Sequence, residues 1–141
     1  VDISGENSIV VAPGANMQLT PFDIPMLESL FSISDFILLQ LEIPLDTVFF
    51  CITMAAQKGK KVILNPAPAQ KLQQELYKHI YAITPNETET QILTGIELSD
   101  DESTESAALI FHKWGVKNVC ITLGSKGVYV STSEGEKRWI K

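Results

Sequence analysis

The chain has 141 residues, of which 45% are apolar and 20% charged, and this balance suits one packed domain and excludes a disordered polypeptide. Its formal charge of −6, with no basic patch, argues against nucleic acid as a partner, although backbone amides can still hold single phosphates. No apolar run approaches the roughly 20 residues of a membrane span, and the first residues form no signal peptide, so a cytoplasmic, membrane-free protein is expected.

In chain order, Ser8-Ile9-Val10-Val11-Ala12 reads as a strand, ended by the turn Pro13-Gly14-Ala15-Asn16. Thr20-Pro21 reads as a helix start, with Thr as cap and Pro at the first helical position. Met26, Leu27, Leu30 and Phe31 would form its apolar face. A strand follows near 35–41 and ends at Glu42. Pro44 opens a helix with Leu45, Val48, Phe49, Ile52 and Ala55 on one stripe, ending at Gly59. The strand near 61–65 runs into Asn65-Pro66-Ala67-Pro68, a loop made rigid by its prolines. A short helix around 70–77 and a strand near 79–84 come next.

Asn86 to Leu93 is a helix stopped near Thr94-Gly95. Asp100-Asp101-Glu102 starts another, with Ala107, Ile110, Phe111 and Trp114 on one stripe and Gly115 at its end. The strand near 117–122 leads through a tight turn, Gly124-Ser125-Lys126-Gly127, into Val128–Ser131. A second turn at Glu134-Gly135 leads into a strand still running at Lys141. Alternation of strand and helix predicts a parallel sheet with helices on both faces. The near-continuous apolar middle strands fit burial on both sides. Lacking an initiator Met and closing inside a strand, the chain reads as an internal fragment. Cys51 and Cys120, isolated in apolar surroundings without C-x-x-C spacing, are expected to be reduced and buried.

Four apolar runs end in polar, turn-forming motifs, and in a parallel sheet those ends share one edge, the edge where open α/β sheets bind ligands. Asn86 and Glu89, three apart on a helix, project together at its positive end. They could hold the water shell of Mg²⁺ or orient a phosphate. They also suit a capping box, and the motif alone favours the cap. The segment Thr122 to Gly127 could bring backbone close to an anion through Gly124 and Gly127, or be an ordinary glycine turn. It is not a Walker A loop. Glu42, costly to bury unpaired, either faces a cleft and accepts hydrogen bonds from a polyol or is a solvent-exposed loop acid. Asn65 either contacts ligand or braces the proline loop. His79 and His112 have no metal or triad spacing, and Trp114 and Tyr129 read as packing residues.

Taken together, the stretches GENSIVVAPGAN, LLQLEIPLDTV, VILNPAPA, ITPNETE, LTGIEL and VCITLGSKGVYV resemble the ribokinase-like, or PfkB, carbohydrate kinases. They run in family order over nearly the whole chain, and Gln40-Leu41-Glu42 and Gly14-Ala15-Asn16 look most like the ribokinase branch. The resemblance implies a Rossmann-like three-layer α/β sandwich with a mainly parallel sheet, incomplete at both ends. The whole chain would be the central part of one domain, residues about 6–12 belonging to a β lid. It implies ATP-dependent phosphorylation of a sugar hydroxyl, with ribose the leading substrate. Glu42 would bind the sugar. Asn65, Asn86, Glu89, Thr122, Gly124, Ser125, Lys126 and Gly127 would contact ATP or its phosphates, and Glu89 would reach Mg²⁺ through water. A monovalent cation such as K⁺ would sit outside this chain, and a homodimer could form through the lid strand. The catalytic Asp is expected downstream, so no catalytic residue lies in this chain and the piece alone should be inactive. Alternatives are a fructokinase or adenosine-kinase-type relative, or a non-catalytic α/β module that binds nucleotide or a partner. A dinucleotide-dependent oxidoreductase would need a G-x-G-x-x-G that is absent.

Overall fold

A computed structural model describes residues 12–141 of the chain. The strand read at residues 8–12 and the lid expected at about 6–12 lie, up to Val11, outside the described residues. Among the described residues six strands form one sheet, and their order in space is their order in sequence: β1 (Phe36–Leu39), β2 (Lys61–Leu64), β3 (Ile80–Ile83), β4 (Asn118–Thr122), β5 (Val128–Thr132) and β6 (Lys137–Ile140). β1 to β4 pair in parallel, whereas β5 and β6 extend the sheet as an antiparallel ribbon. The helices are α1 (Glu28–Ile33), α2 (Leu45–Gln57), α3 (Gln74–Tyr77), α4 (Glu87–Thr94) and α5 (Asp101–Lys113). The mainly parallel α/β architecture expected from the sequence is observed.

Helix starts follow local chemistry. α2 begins directly after Pro44. At α5 the Asp100 carboxylate accepts from Ser103 N (2.8 Å), and the Ser103 hydroxyl accepts from Asp100 N (3.0 Å). The start expected at Thr20-Pro21 is not realised. Thr20 donates its amide (2.8 Å) and its hydroxyl (2.7 Å) to the Asp23 carboxylate, which closes a separate turn. A second proline, Pro25, cannot continue a helix begun at residue 21, because its ring would meet the carbonyl four residues back. A one-turn 3-10 segment, Ile24–Leu27, intervenes, and α1 begins only at Glu28. The helix expected at 70–77 shrinks to the single turn of α3, because Gln73 is still extended.

Right-handed crossovers that always step the same way place their helices on one face of the sheet. Burial agrees. Val62 and Leu64 on β2, Val119 and Ile121 on β4, and Tyr129 on β5 share one face and join α2 and α5 residues in a single core. In that core the ring of Trp114 lies 4.8 Å from Tyr77 and 5.7 Å from Phe111. One of the two expected helical layers therefore lies within the described residues. The opposite face carries Phe36, Leu38, Ile63, Tyr81, Cys120 and Val130, all at least partly exposed, with Leu38 at 74%. There the Lys61 ammonium lies 5.2 Å from the Phe36 ring centroid and 4.8 Å from that of Tyr81.

The cysteines divide between these environments. Cys51 is buried on α2, whereas Cys120 is half-exposed on the open face, and both thiols are free. Burial pushes both thiols up from their ordinary value. A thiol reagent at mildly alkaline pH is expected to label Cys120 in the folded 141-residue chain and Cys51 only after denaturant is added. Equal labelling of both without denaturant would contradict this packing.

Candidate functional site

The parallel pairing sets the carboxyl ends of β1 to β4 side by side, and backbone bonds tie the loops that leave them. Leu41 N donates to Ala67 O, Asn65 N to Leu39 O, Thr84 N to Leu64 O and Thr122 N to Pro85 O, each at 2.9 Å. Asn86 and Thr122 also form an isolated parallel bridge. Glu42, Asn65, Asn86 and Thr122 consequently follow one another along one edge of the sheet. These hydrogen bonds hold the loops as extensions of the sheet, so the polar residues stand on a rigid base.

A row of four cavities lies along that edge. Glu42 lines one of about 500 Å³ with Asn16, Met17, Ile43, Pro68 and Gln70. Asn65 lines the next, about 400 Å³, with Gln40 and Thr84. Asn86, Thr122, Gly124 and Gly127 line a third of about 560 Å³ with Thr88. Ser125 and Lys126 open instead into a fourth, about 460 Å³, beside Glu87, Asp100 and Asp101. The expected residues thus share an edge but are divided among neighbouring spaces.

The Asn86–Glu89 pair forms a complete capping box. Glu89 N donates to Asn86 Oδ1 (2.8 Å), and Asn86 N donates to Glu89 Oε2 (2.9 Å). A third bond runs from Asn86 Nδ2 to Glu89 Oε1 (3.0 Å). Both carboxylate oxygens therefore accept from Asn86, and Glu89 is only 8% exposed. Asn86 itself is exposed. The favoured capping reading is realised, and its geometry leaves Asn86 presented to the third cavity with Glu89 holding it from behind.

The turn after β4 is equally well made. Leu123 N donates to Gly127 O (2.8 Å), and Lys126 N to Leu123 O (2.9 Å). Gly127 has φ 96°, and a Cβ there would stand 2.0 Å from the Ile140 carbonyl oxygen, so only glycine lets the end of β6 pass. This is a glycine turn between strands, as one of its two readings expected.

Sequence reasoning did not single out Gln40, Thr84 or Thr88 as lining residues. Gln40 precedes Glu42 by two residues just after β1, a spacing that could have marked it. Among the described residues no group of three or more His, Cys, Asp or Glu side chains comes together to hold a metal. A metal at this edge would thus fit only with phosphate oxygens or water completing its shell. His79 is exposed. His112 is built into the fold, with Nδ1 2.8 Å from Val116 O and Nε2 2.8 Å from Ser131 Oγ. Among the described residues no helix is long and apolar enough to cross a membrane.

A family model described as pfkB family carbohydrate kinase matches residues 1–141. The chain is 50% identical to a ribokinase of Haemophilus influenzae over 138 residues, covering 98% of this chain and 45% of that protein. A deoxyribokinase of Salmonella typhi is 35% identical over 137 residues, with coverage of 96% and 45%. Among solved structures, an Arabidopsis thaliana ribokinase complexed with ribose and ATP superimposes with a TM-score of 0.83 at 30% identity, over 97% of this chain and 45% of that one. The chain spans about half the length of these relatives.

Proposed function

The chain belongs to the pfkB family of carbohydrate kinases, and from that premise we propose that it is the central part of an α/β domain that transfers the γ-phosphoryl group of ATP to a hydroxyl of ribose. The observation that carries the reading is the parallel pairing of β1 to β4, which gives Glu42, Asn65, Asn86 and the Thr122–Gly127 turn a common edge. In this reading Glu42 accepts hydrogen bonds from the sugar. Asn65, Asn86, Thr122, Gly124, Ser125, Lys126 and Gly127 serve the nucleotide and its phosphates, and Glu89 keeps Asn86 in place.

Phosphoryl transfer depends on positioning and on charge stabilisation rather than on covalent chemistry by the protein. Mg²⁺, when bound with the nucleotide, would neutralise phosphate charge, with Glu89 approaching it through water. A monovalent cation such as K⁺ and the base that deprotonates the hydroxyl belong to segments outside these 141 residues. A cytoplasmic location and a homodimer through the lid strand complete the reading. The 35% identity to a deoxyribokinase favours a deoxyribose as the second candidate substrate.

The test is ADP release with ATP, Mg²⁺ and either pentose. The complete reading frame containing this sequence is expected to turn over and to prefer ribose, and the 141-residue chain to be inert. Sustained sugar-dependent turnover by the short chain would refute its inactivity. A complete protein inert toward both sugars would refute the kinase assignment.

A further inference from the structure

We propose that Asn16 is a second substrate-contact residue, its side-chain amide donating to a hydroxyl of the sugar that Glu42 binds. The inference rests on the kinase reading and deepens it. Asn16 and Glu42 line the same cavity of about 500 Å³, whose apolar wall includes Met17, Ile43 and Pro68. Such a site suits a small polyol: the wall packs against C–H groups, and a few polar groups fix orientation.

Glu42 alone is chemically incomplete. An ionised carboxylate only accepts, whereas each sugar hydroxyl both donates and accepts. A hydroxyl that gives its proton to Glu42 keeps lone pairs, and these need a donor once water is displaced. Among the described residues that line it, two side chains can donate, Asn16 and Gln70. Gln70 already gives an N–H to Leu41 O at 3.1 Å. Asn16 offers two N–H groups and a carbonyl oxygen, which complements an acceptor-only partner.

The placement of Asn16 is tied to that of Glu42. Asn16 N donates to Pro13 O (3.0 Å) and Leu19 N to Asn16 O (3.3 Å), closing the 3-10 segment Gly14–Gln18. The buried Thr47 hydroxyl then donates to Leu19 O at 2.8 Å. Thr47 lies in the first turn of α2, the helix that the Glu42 loop enters. This bond ties the segment that carries Asn16 to the helix that follows the Glu42 loop, so the two polar groups of the cavity stand on connected elements.

Asn16→Ala and Asn16→Ser in the complete protein test this. Both are expected to raise KM for ribose about 10-fold or more, the loss of one hydrogen bond that leaves a buried hydroxyl unpaired. KM for ATP and the circular dichroism spectrum should not change. Should Asn16→Ala misfold, the smaller, polar Asn16→Ser supplies the reading. Wild-type turnover with an unchanged ribose KM in the folded variants overturns the role of Asn16 and leaves the kinase reading standing. A wild type that neither phosphorylates ribose nor binds it by calorimetry overturns both.

Discussion

Replacing Glu42 with Ala in the complete enzyme is expected to raise KM for ribose by about 100-fold or more, with KM for ATP unchanged. A carboxylate that accepts two sugar hydroxyls makes charge-assisted bonds worth about 1.5–3 kcal/mol each, and 1.4 kcal/mol is about tenfold in affinity. Because Glu42 is exposed at the end of β1 and the carboxylate supports no packing, its loss should leave stability nearly unchanged. Glu42→Gln keeps one acceptor oxygen and should fall between wild type and Glu42→Ala. Steady-state kinetics with ribose varied at saturating ATP, and then the reverse, separate the two substrates. An unchanged ribose KM in Glu42→Ala would remove the sugar from this cavity.

Replacing Glu89 with Ala is expected to act on both stability and turnover. The buried carboxylate holds Asn86 through two hydrogen bonds at the start of α4. Losing the box frees that terminus, at about 1–2 kcal/mol, readable as a lower melting temperature. Catalysis should suffer more. With Asn86 unanchored where the phosphates are proposed to lie, kcat is expected to fall by about 100-fold, the scale seen when one preoriented donor is lost. Glu89→Gln is no conservative change here. Both Glu89 oxygens face N–H donors of Asn86, so the amide must turn its own NH₂ toward one of them. The Gln variant should therefore lose nearly as much kcat as the Ala variant. Full activity in Glu89→Gln would contradict the positioning role.

Much of this could be seen in the sequence because the residues that end the strands also carry the polar chemistry. The runs before Glu42, Asn65, Asn86 and Thr122 were legible as strands, and parallel pairing follows from the helices between them, but the burial on both faces expected of them is not realised, since Phe36 and Leu38 on β1 are exposed. Pro44 and Gly59 bracketed α2 correctly, since a proline start and a glycine stop act locally. The Thr20 region was misjudged for a local reason as well: Asp23 captures Thr20, and Pro25 blocks the continuation.

The division of the edge into separate cavities was not legible. It depends on loops crossing between strands, such as Ala67 reaching back to Leu41, and no spacing rule encodes that contact. Nor did the sequence alone indicate that Ser125 and Lys126 turn away from Thr122 and Gly124. That separation comes from the tight 3-10 geometry between Leu123 and Gly127, which swings successive residues to different sides. The opposite face of the sheet reads as apolar in sequence, yet Phe36 and Leu38 on it are exposed among the described residues.

The carboxyl edge of β1 to β4 is proposed to hold both substrates, and a crystal structure of the complete protein with ribose and a non-hydrolysable ATP analogue would locate them. A sugar hydroxyl is expected within about 3 Å of the Glu42 carboxylate, with the nucleotide phosphates against Asn86 and the Gly124 turn. Density for either ligand at the amino ends of those strands, or over the open sheet face, would contradict it.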